Sequence, residues 1–190
     1  MAGRVARFAR FGPGRLPGHD YSEPGAYFIT ICSHERLLTF EAAEIAGVIQ
    51  QTWNAIPLHF PNIDIDAFVI MPNHIHGVLI VSDPGVSVAP QHAVALRRPA
   101  ALSAVVRSFK AAVTREVRAL GILAGQRFWQ PNYYDRVVRN DHELNRIREY
   151  IAYNPIAWQF DHENPQRQLD EDYIRRWAWL ENDLTSATAP

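Results

Sequence analysis

Two histidines, His74 and His76, stand one residue apart in the otherwise apolar run VIMPNHIHGVLIV over 69–81. On a strand, residues i and i+2 point to one face, so both imidazoles project together and Ile75 points the other way. A lone histidine in such a place is usually an ordinary half-exposed side chain. A pair on one face is a natural start for a metal site, because neutral imidazoles are good ligands for divalent ions. Two ligands are too few, so a further donor must come from elsewhere in the chain. The histidine-triad pattern of nucleotide hydrolases would place another histidine two residues on, but Val78 stands there.

A second group lies in REYIAYNP, residues 148–155. Tyr150 and Asn154 are four apart, which brings a phenol and an amide oxygen to one face of a helix. If that face covers the histidines, the site holds two imidazoles, one amide oxygen and one phenol. A metal there would polarise a phosphoryl oxygen, and the phenol would attack phosphorus to form a covalent phosphotyrosine. Without such pairing Tyr150 reads as a core tyrosine. Tyr153, Tyr133 and Tyr134 are weaker candidates for the same role.

The surrounding text supplies the elements that must position these residues. AYFITICS (26–33) is apolar and β-branched and reads as a strand. Ile45, Val48, Ile49 and Trp53 recur at helical spacing within 39–57, with Pro57 as the expected stop. NIDIDAFVI (62–70) and HIHGVLIV (74–81) read as two strands joined by a short turn at MPNH. Residues 82–100 read as a proline-containing loop. Leu102, Val105, Val106, Phe109, Val113, Val117 and Leu120 form the apolar stripe of a helix over 101–121. YYDRVVR (133–139) is a fourth strand, and 140–155 is a helix opened by Asn140 and closed at Pro155. The order β-α-β-β-α-β-α predicts an α+β chain. Its core is a ferredoxin-like split βαβ unit, a four-stranded antiparallel sheet with two helices on one face. The tyrosine-bearing helix must then pack on the open face or at an edge. Trp177, Trp179 and Leu180 hint at one more short helix.

Composition sets the limits. A chain of 190 residues, 47% hydrophobic and 21% charged, suits one domain with a real core. The expected layout is a basic arm over 1–25, a catalytic domain over 26–158 and an acidic tail over 159–190. The single cysteine, Cys32, excludes an internal disulfide and reads as a core residue. It also leaves a zinc site of the structural kind without its thiolates. No secretion signal is visible and no apolar run approaches a membrane span, so a cytoplasmic protein with no membrane partner is expected. Net charge is −1, but seven acids fall in 160–190 and four arginines with no acid in 1–19. A basic arm on a mildly positive body suits nucleic-acid binding. Arg107, Lys110 and Arg115 on the second helix, with Arg136 and Arg139 near the fourth strand, are the expected phosphate contacts. Phe128, Trp129 and Tyr133 are either core or stacking platforms for bases.

The combination of MPNHIH with FWQPNYYDRVVRNDHELNRIREYIAYNP resembles the REP-associated tyrosine transposases, which belong to the HUH (histidine-hydrophobe-histidine) single-strand transposases of the IS200-like group. RLPGHDYSEPGAYFITICS and SFKAAVTREVRALG extend the resemblance to roughly residues 14–158. It implies a ferredoxin-like fold and cleavage of single-stranded DNA. It implies Mg²⁺ or Mn²⁺ held by His74, His76 and Asn154, with Tyr150 as nucleophile. It implies a 5′-phosphotyrosine, a free 3′-OH, and rejoining of strands without a nucleotide cofactor. It further implies a hairpin substrate with a tetranucleotide at its foot read by the N-terminal segment, which makes Arg15 the arm residue to watch. A monomer is the implied state, with a dimer as the alternative. The competing functions are a DNA-hairpin-binding protein without catalysis and a metal-dependent phosphoesterase acting on small nucleotides.

Overall fold

The computed structural model describes residues 20–83, 101–123 and 125–186, with side chains through Leu180. Arg15 and most of the 82–100 loop lie outside the described residues. Four strands, β1 (Gly25–Cys32), β2 (Ile63–Ile70), β3 (His74–Val81) and β4 (Tyr134–Val138), form one sheet in the order β2-β3-β1-β4. Every neighbouring pair is antiparallel. This is the split βαβ arrangement that the element order predicts.

Side-chain alternation divides the sheet into two faces. Tyr27, Ile29, Ile31, Ile75, Leu79 and Val81 face one core, with α1 (Ala43–Asn54) and α3 (Leu102–Ala119) packed over them. Ile45, Ile49 and Trp53 of α1 are buried there, as are Val105, Val106, Phe109, Val113 and Val117 of α3. Trp53 lies flat against Phe68, ring centroids 4.3 Å apart. Phe68 pairs opposite Gly77 on β3, and a Cβ at Gly77 would stand 2.6 Å from Trp53 Cζ2. Glycine is required there because the indole lies against the strand itself.

The expected helix over 39–57 is broken into parts. A 3-10 turn spans Thr39–Glu41, α1 ends at Asn54, and a short helix α2 (Ile56–His59) follows. Pro57 sits in the first turn of α2 rather than ending α1. Its missing N–H costs nothing in a first turn, which has no partner for it within the helix.

The second core lies on the opposite face. Phe28 and Val78 of the sheet meet Ile147, Tyr150 and Ile151 of α4 (Asp141–Tyr153), and Tyr173, Trp177 and Leu180 of α5 (Glu171–Ser186). Residues beyond 158 therefore contribute to the packed body, and the hinted helix at Trp177 runs for 16 residues. Asn140 caps α4 by accepting from Glu143 N–H at 2.9 Å, while the Glu143 carboxylate accepts from Arg139 N–H at 2.8 Å. Cys32 is buried, and burial pushes its thiol well above the ordinary range.

Candidate active site

The register of the sheet assembles the site. Cys32 pairs with His74 and Thr30 pairs with His76 across β1 and β3. Phe28, Thr30, His74 and His76 then share the face covered by α4 and α5. Both imidazoles are fully buried, with 0% exposure. Their Nε2 atoms lie 3.0 Å apart. The Phe28 ring stacks on His76 at 5.3 Å, and the Tyr150 ring lies 5.2 Å from His76. Tyr150 is held edge-on between Phe28 at 6.1 Å and Trp177 at 5.2 Å.

The protonation pattern follows from the neighbours. The Asn73 amide nitrogen donates to the Glu163 main-chain oxygen at 2.8 Å and the Arg36 main-chain oxygen at 3.2 Å. Its amide oxygen is therefore the atom that meets His74 Nδ1 at 2.9 Å. His74 Nδ1 carries the proton, and His74 Nε2 is a bare lone pair. His76 Nδ1 lies 2.8 Å from Thr30 Oγ1. If that hydroxyl accepts, the second Nε2 is also bare and two lone pairs converge. That arrangement is repulsive by itself and suited to a shared cation. If the hydroxyl donates, His76 Nε2–H closes a bond to His74 and satisfies the pair without one.

Burial holds both imidazoles well below their usual range, and His76, His162 and Arg36 nearby lower His74 further. Neutral imidazoles are the form that binds metal. Two donors about 2.1 Å from one octahedral ion, at right angles, lie about 3 Å apart. The observed Nε2 separation fits that spacing, and the Asn73 and Thr30 contacts are the outer partners that such ligands ordinarily have. One further donor borders the pair. Asp161 is fully buried, and with His74 and His76 it forms a group whose ligand atoms lie within 4.8 Å of one another, so this group could hold a metal. Asn154, at 1% exposure, caps α4 with its N–H on Tyr150 O, and its Oδ1 has no hydrogen-bond partner among the described residues.

Helix α4 is fixed over the sheet by an ion pair from outside the core. Arg148 grips Asp66 of β2 with Nε to Oδ1 at 2.8 Å and Nη2 to Oδ2 at 2.6 Å. The Arg148 hydrogen bond holds the Asp66 carboxyl below its usual value. Asp66 lies at the register shift between Ile65 and Phe68.

The structure brings His74, His76 and Tyr150 together, with Asn154 one turn beyond Tyr150. It does not bring the basic residues of α3 to them. Arg107, Lys110 and Arg115 belong to the layer on the opposite face of the sheet. Arg107 and Arg115 are exposed. Lys110 donates to the Gln130 and Asn132 main-chain oxygens at 2.7 and 2.9 Å, and burial pulls its pKa down to about 8. Its ammonium thus anchors the 130–132 loop. Arg136 pairs with Glu143, Nη2 to Oε1 at 2.7 Å, and lies over the Trp179 ring. Arg139 is exposed. Phe128 and Trp129 are buried in the core with α3. Of the rival tyrosines, Tyr134 lies edge-on to Phe28 at 6.4 Å and Tyr153 packs on Trp177 at 6.2 Å.

Sequence reading missed Thr30, Asn73 and Asp161. Thr30 was only legible once the β1–β3 register was known. Asn73 read as a turn residue. Asp161 falls in the stretch that composition reads as an acidic tail, although it directly follows the aromatic stretch WQF, a signal of a buried setting.

No family model matches the chain. An uncharacterised protein of Haemophilus influenzae is 34% identical over 162 residues, covering 77% of this chain and 89% of its own length. A solved REP-associated tyrosine transposase bound to a REP hairpin superposes with a TM-score of 0.52 at 17% identity, over 82% of this chain and 73% of its own. That likeness establishes a shared fold, the four-stranded antiparallel sheet with its helices. Among the described residues, no helix is long and apolar enough to cross a membrane.

Proposed function

The chain belongs to one family with the Haemophilus influenzae protein, and from its site we propose that it is a metal-dependent, transposase-like endonuclease and strand-transfer enzyme acting on single-stranded, hairpin-forming DNA. The observation that carries this reading is the Tyr150 ring 5.2 Å from His76, on the face where two imidazole Nε2 atoms lie 3.0 Å apart. A phenol beside a pair of metal-binding imidazoles is the equipment of phosphoryl transfer to tyrosine. The shared fold with a transposase bound to a REP hairpin supports DNA as the substrate class.

His74 and His76 would hold a divalent ion, Mg²⁺ or Mn²⁺, with Asn154 Oδ1 as a neutral oxygen donor. When bound, the ion supplies Lewis-acid polarisation of the scissile phosphate. Imidazole donors suit Mn²⁺ better than Mg²⁺. Tyr150 Oη attacks phosphorus, an Oη–P bond forms and the P–O3′ bond breaks. The phenol proton ends on the departing 3′ oxygen. The products are a 5′-phosphotyrosine and a 3′-OH, and attack by a 3′-OH reverses the step and joins strands. One ester bond replaces another, so no nucleotide cofactor is required.

Trp158 lies 6.0 Å from His74 and Trp177 packs against Tyr150, and both imidazoles are fully buried. Phosphate contacts away from the site fall to Arg107, Arg115 and Arg139, with Lys110 and Arg136 already engaged inside the fold, and to Arg15 of the arm.

The test is covalent trapping. The protein is incubated with single-stranded hairpin oligonucleotides from its own genomic neighbourhood, with Mn²⁺ or EDTA, beside Tyr150→Phe. A metal-dependent protein–DNA adduct that is absent from Tyr150→Phe is expected. An adduct that persists moves the nucleophile to another tyrosine. A shifted band indifferent to EDTA, with no adduct, replaces the reading with hairpin binding alone.

A further inference from the structure

The segment between α4 and α5 delivers a carboxylate to the histidine pair. Asp161 follows the 3-10 turn Trp158–Phe160 and is fully buried. One oxygen, Oδ1, accepts from Glu163 N–H at 2.7 Å, and His162 Nδ1 is 3.8 Å from that same oxygen. The other oxygen, Oδ2, lies 3.9 Å from His74 Nε2. The segment is tied down beside β3. Glu163 pairs with Arg36, Oε2 to Nε at 2.7 Å, and both side chains are almost buried. The Glu163 main-chain oxygen accepts from Asn73, whose amide also fixes the tautomer of His74.

This is not an ordinary Asp–His contact. A separation of 3.9 Å is too long for a hydrogen bond. The imidazole atom facing the carboxylate is a lone pair, because the His74 proton sits on Nδ1 toward Asn73. Oδ2 and Nε2 are both atoms of the kind that bind a divalent ion, and with the His76 ligand atom they lie within 4.8 Å of one another. A cation between them is attracted to both, and donors on one ion stand apart by distances of this order.

We propose that Asp161 is the anionic ligand of the ion held by His74 and His76. The inference rests on the metal reading above and adds to it a charged donor from beyond the tyrosine helix. One carboxylate beside two imidazoles mixes hard and borderline donors, a set that suits Mn²⁺. The segment after α4 is then part of the metal centre.

The experiment uses the full chain without DNA. Mn²⁺ is titrated and the electron paramagnetic resonance signal of free Mn²⁺ is followed. Wild type, His76→Ala, Asp161→Asn and Asp161→Cys are compared. Asp161→Asn keeps the shape and an oxygen for Glu163 N–H but removes the charge, and is expected to weaken Mn²⁺ binding at least tenfold. Asp161→Cys is expected to lose Mn²⁺ and gain Cd²⁺, with a thiolate-to-cadmium absorption band in the ultraviolet, because a soft donor selects a soft ion. That band reports ligation directly and keeps the test decisive if the asparagine variant misfolds. Binding lost in His76→Ala but unchanged in Asp161→Asn, or no cadmium band in Asp161→Cys, overturns the assignment of Asp161 alone. No Mn²⁺ binding by wild type, or binding indifferent to His76→Ala, overturns the metal reading and this inference with it.

Discussion

Thr30→Val isolates the role of one hydroxyl in the metal site. Thr30 is buried at 4% exposure, and valine keeps its shape, so packing is retained. What is lost is the 2.8 Å contact between Thr30 Oγ1 and His76 Nδ1. Without metal, His76 has an alternative: its proton moves to Nε2 and bonds His74 Nε2 across 3.0 Å. The metal-free protein therefore avoids most of the cost. With metal, Nε2 must be bare and Nδ1 must carry the proton, now facing a methyl group. An unsatisfied buried donor costs about 1–3 kcal/mol. At about 1.4 kcal/mol per decade this falls almost wholly on the bound state and weakens Mn²⁺ binding roughly 5- to 150-fold. Loss of an outer partner of a metal-bound histidine typically costs about 10- to 100-fold, in the same range. Calorimetric Mn²⁺ titration of wild type, Thr30→Val and Thr30→Ser reads the effect, with thermal unfolding in EDTA beside it. The serine variant restores the hydroxyl and should bind as wild type does. If Thr30→Val binds Mn²⁺ within twofold of wild type while remaining folded, the tautomer argument is wrong and Thr30 is only a core residue.

Two further outcomes test the frame around the site. Gly77→Ala places a methyl 2.6 Å from Trp53 Cζ2, where the indole is buried at 1% exposure and stacked on Phe68. Overpacking of this kind lowers stability by about 1–3 kcal/mol, visible as a drop of several degrees in Tm; an unchanged Tm would mean that the indole moves aside freely. Burial raises the Glu143 carboxyl, but the Arg139 N–H and Arg136 hydrogen bonds outweigh it, so its folded pKa lies below the ordinary value of 4.5. The stability it adds is present above about pH 4.5 and is lost as pH falls through the lower folded value. Glu143→Gln should therefore cost about 1.5–3 kcal/mol at pH 7, with the gap to wild type closing in acid denaturant titrations. A gap that stays constant down to pH 3 would place the loss in packing instead.

The element order, and with it the sheet, was legible because alternation and helical spacing are local signals. His74, His76, Tyr150 and Asn154 stood out because their spacing fixes a shared face on one strand or one helix. The rest depended on contacts between segments far apart in the chain. Thr30 meets His76 through the β1–β3 register, 46 residues away. Asn73 reaches the Glu163 oxygen 90 residues on, and that bond helps turn an apparent acidic tail into a wall of the site. Lys110 and Arg136 read as free positive charge, but the fold gives them carbonyl oxygens and a carboxylate as partners. Composition records that a charge exists, while only tertiary packing decides whether water, a buried partner or an ion neutralises it. Periodicity thus determined the sheet, the helices and the faces on which the four chemical residues stand. Long-range register and burial decided the protonation of the histidines, the position of Asp161 and the side of the sheet on which each arginine lies, since these depend on distances that no local spacing encodes.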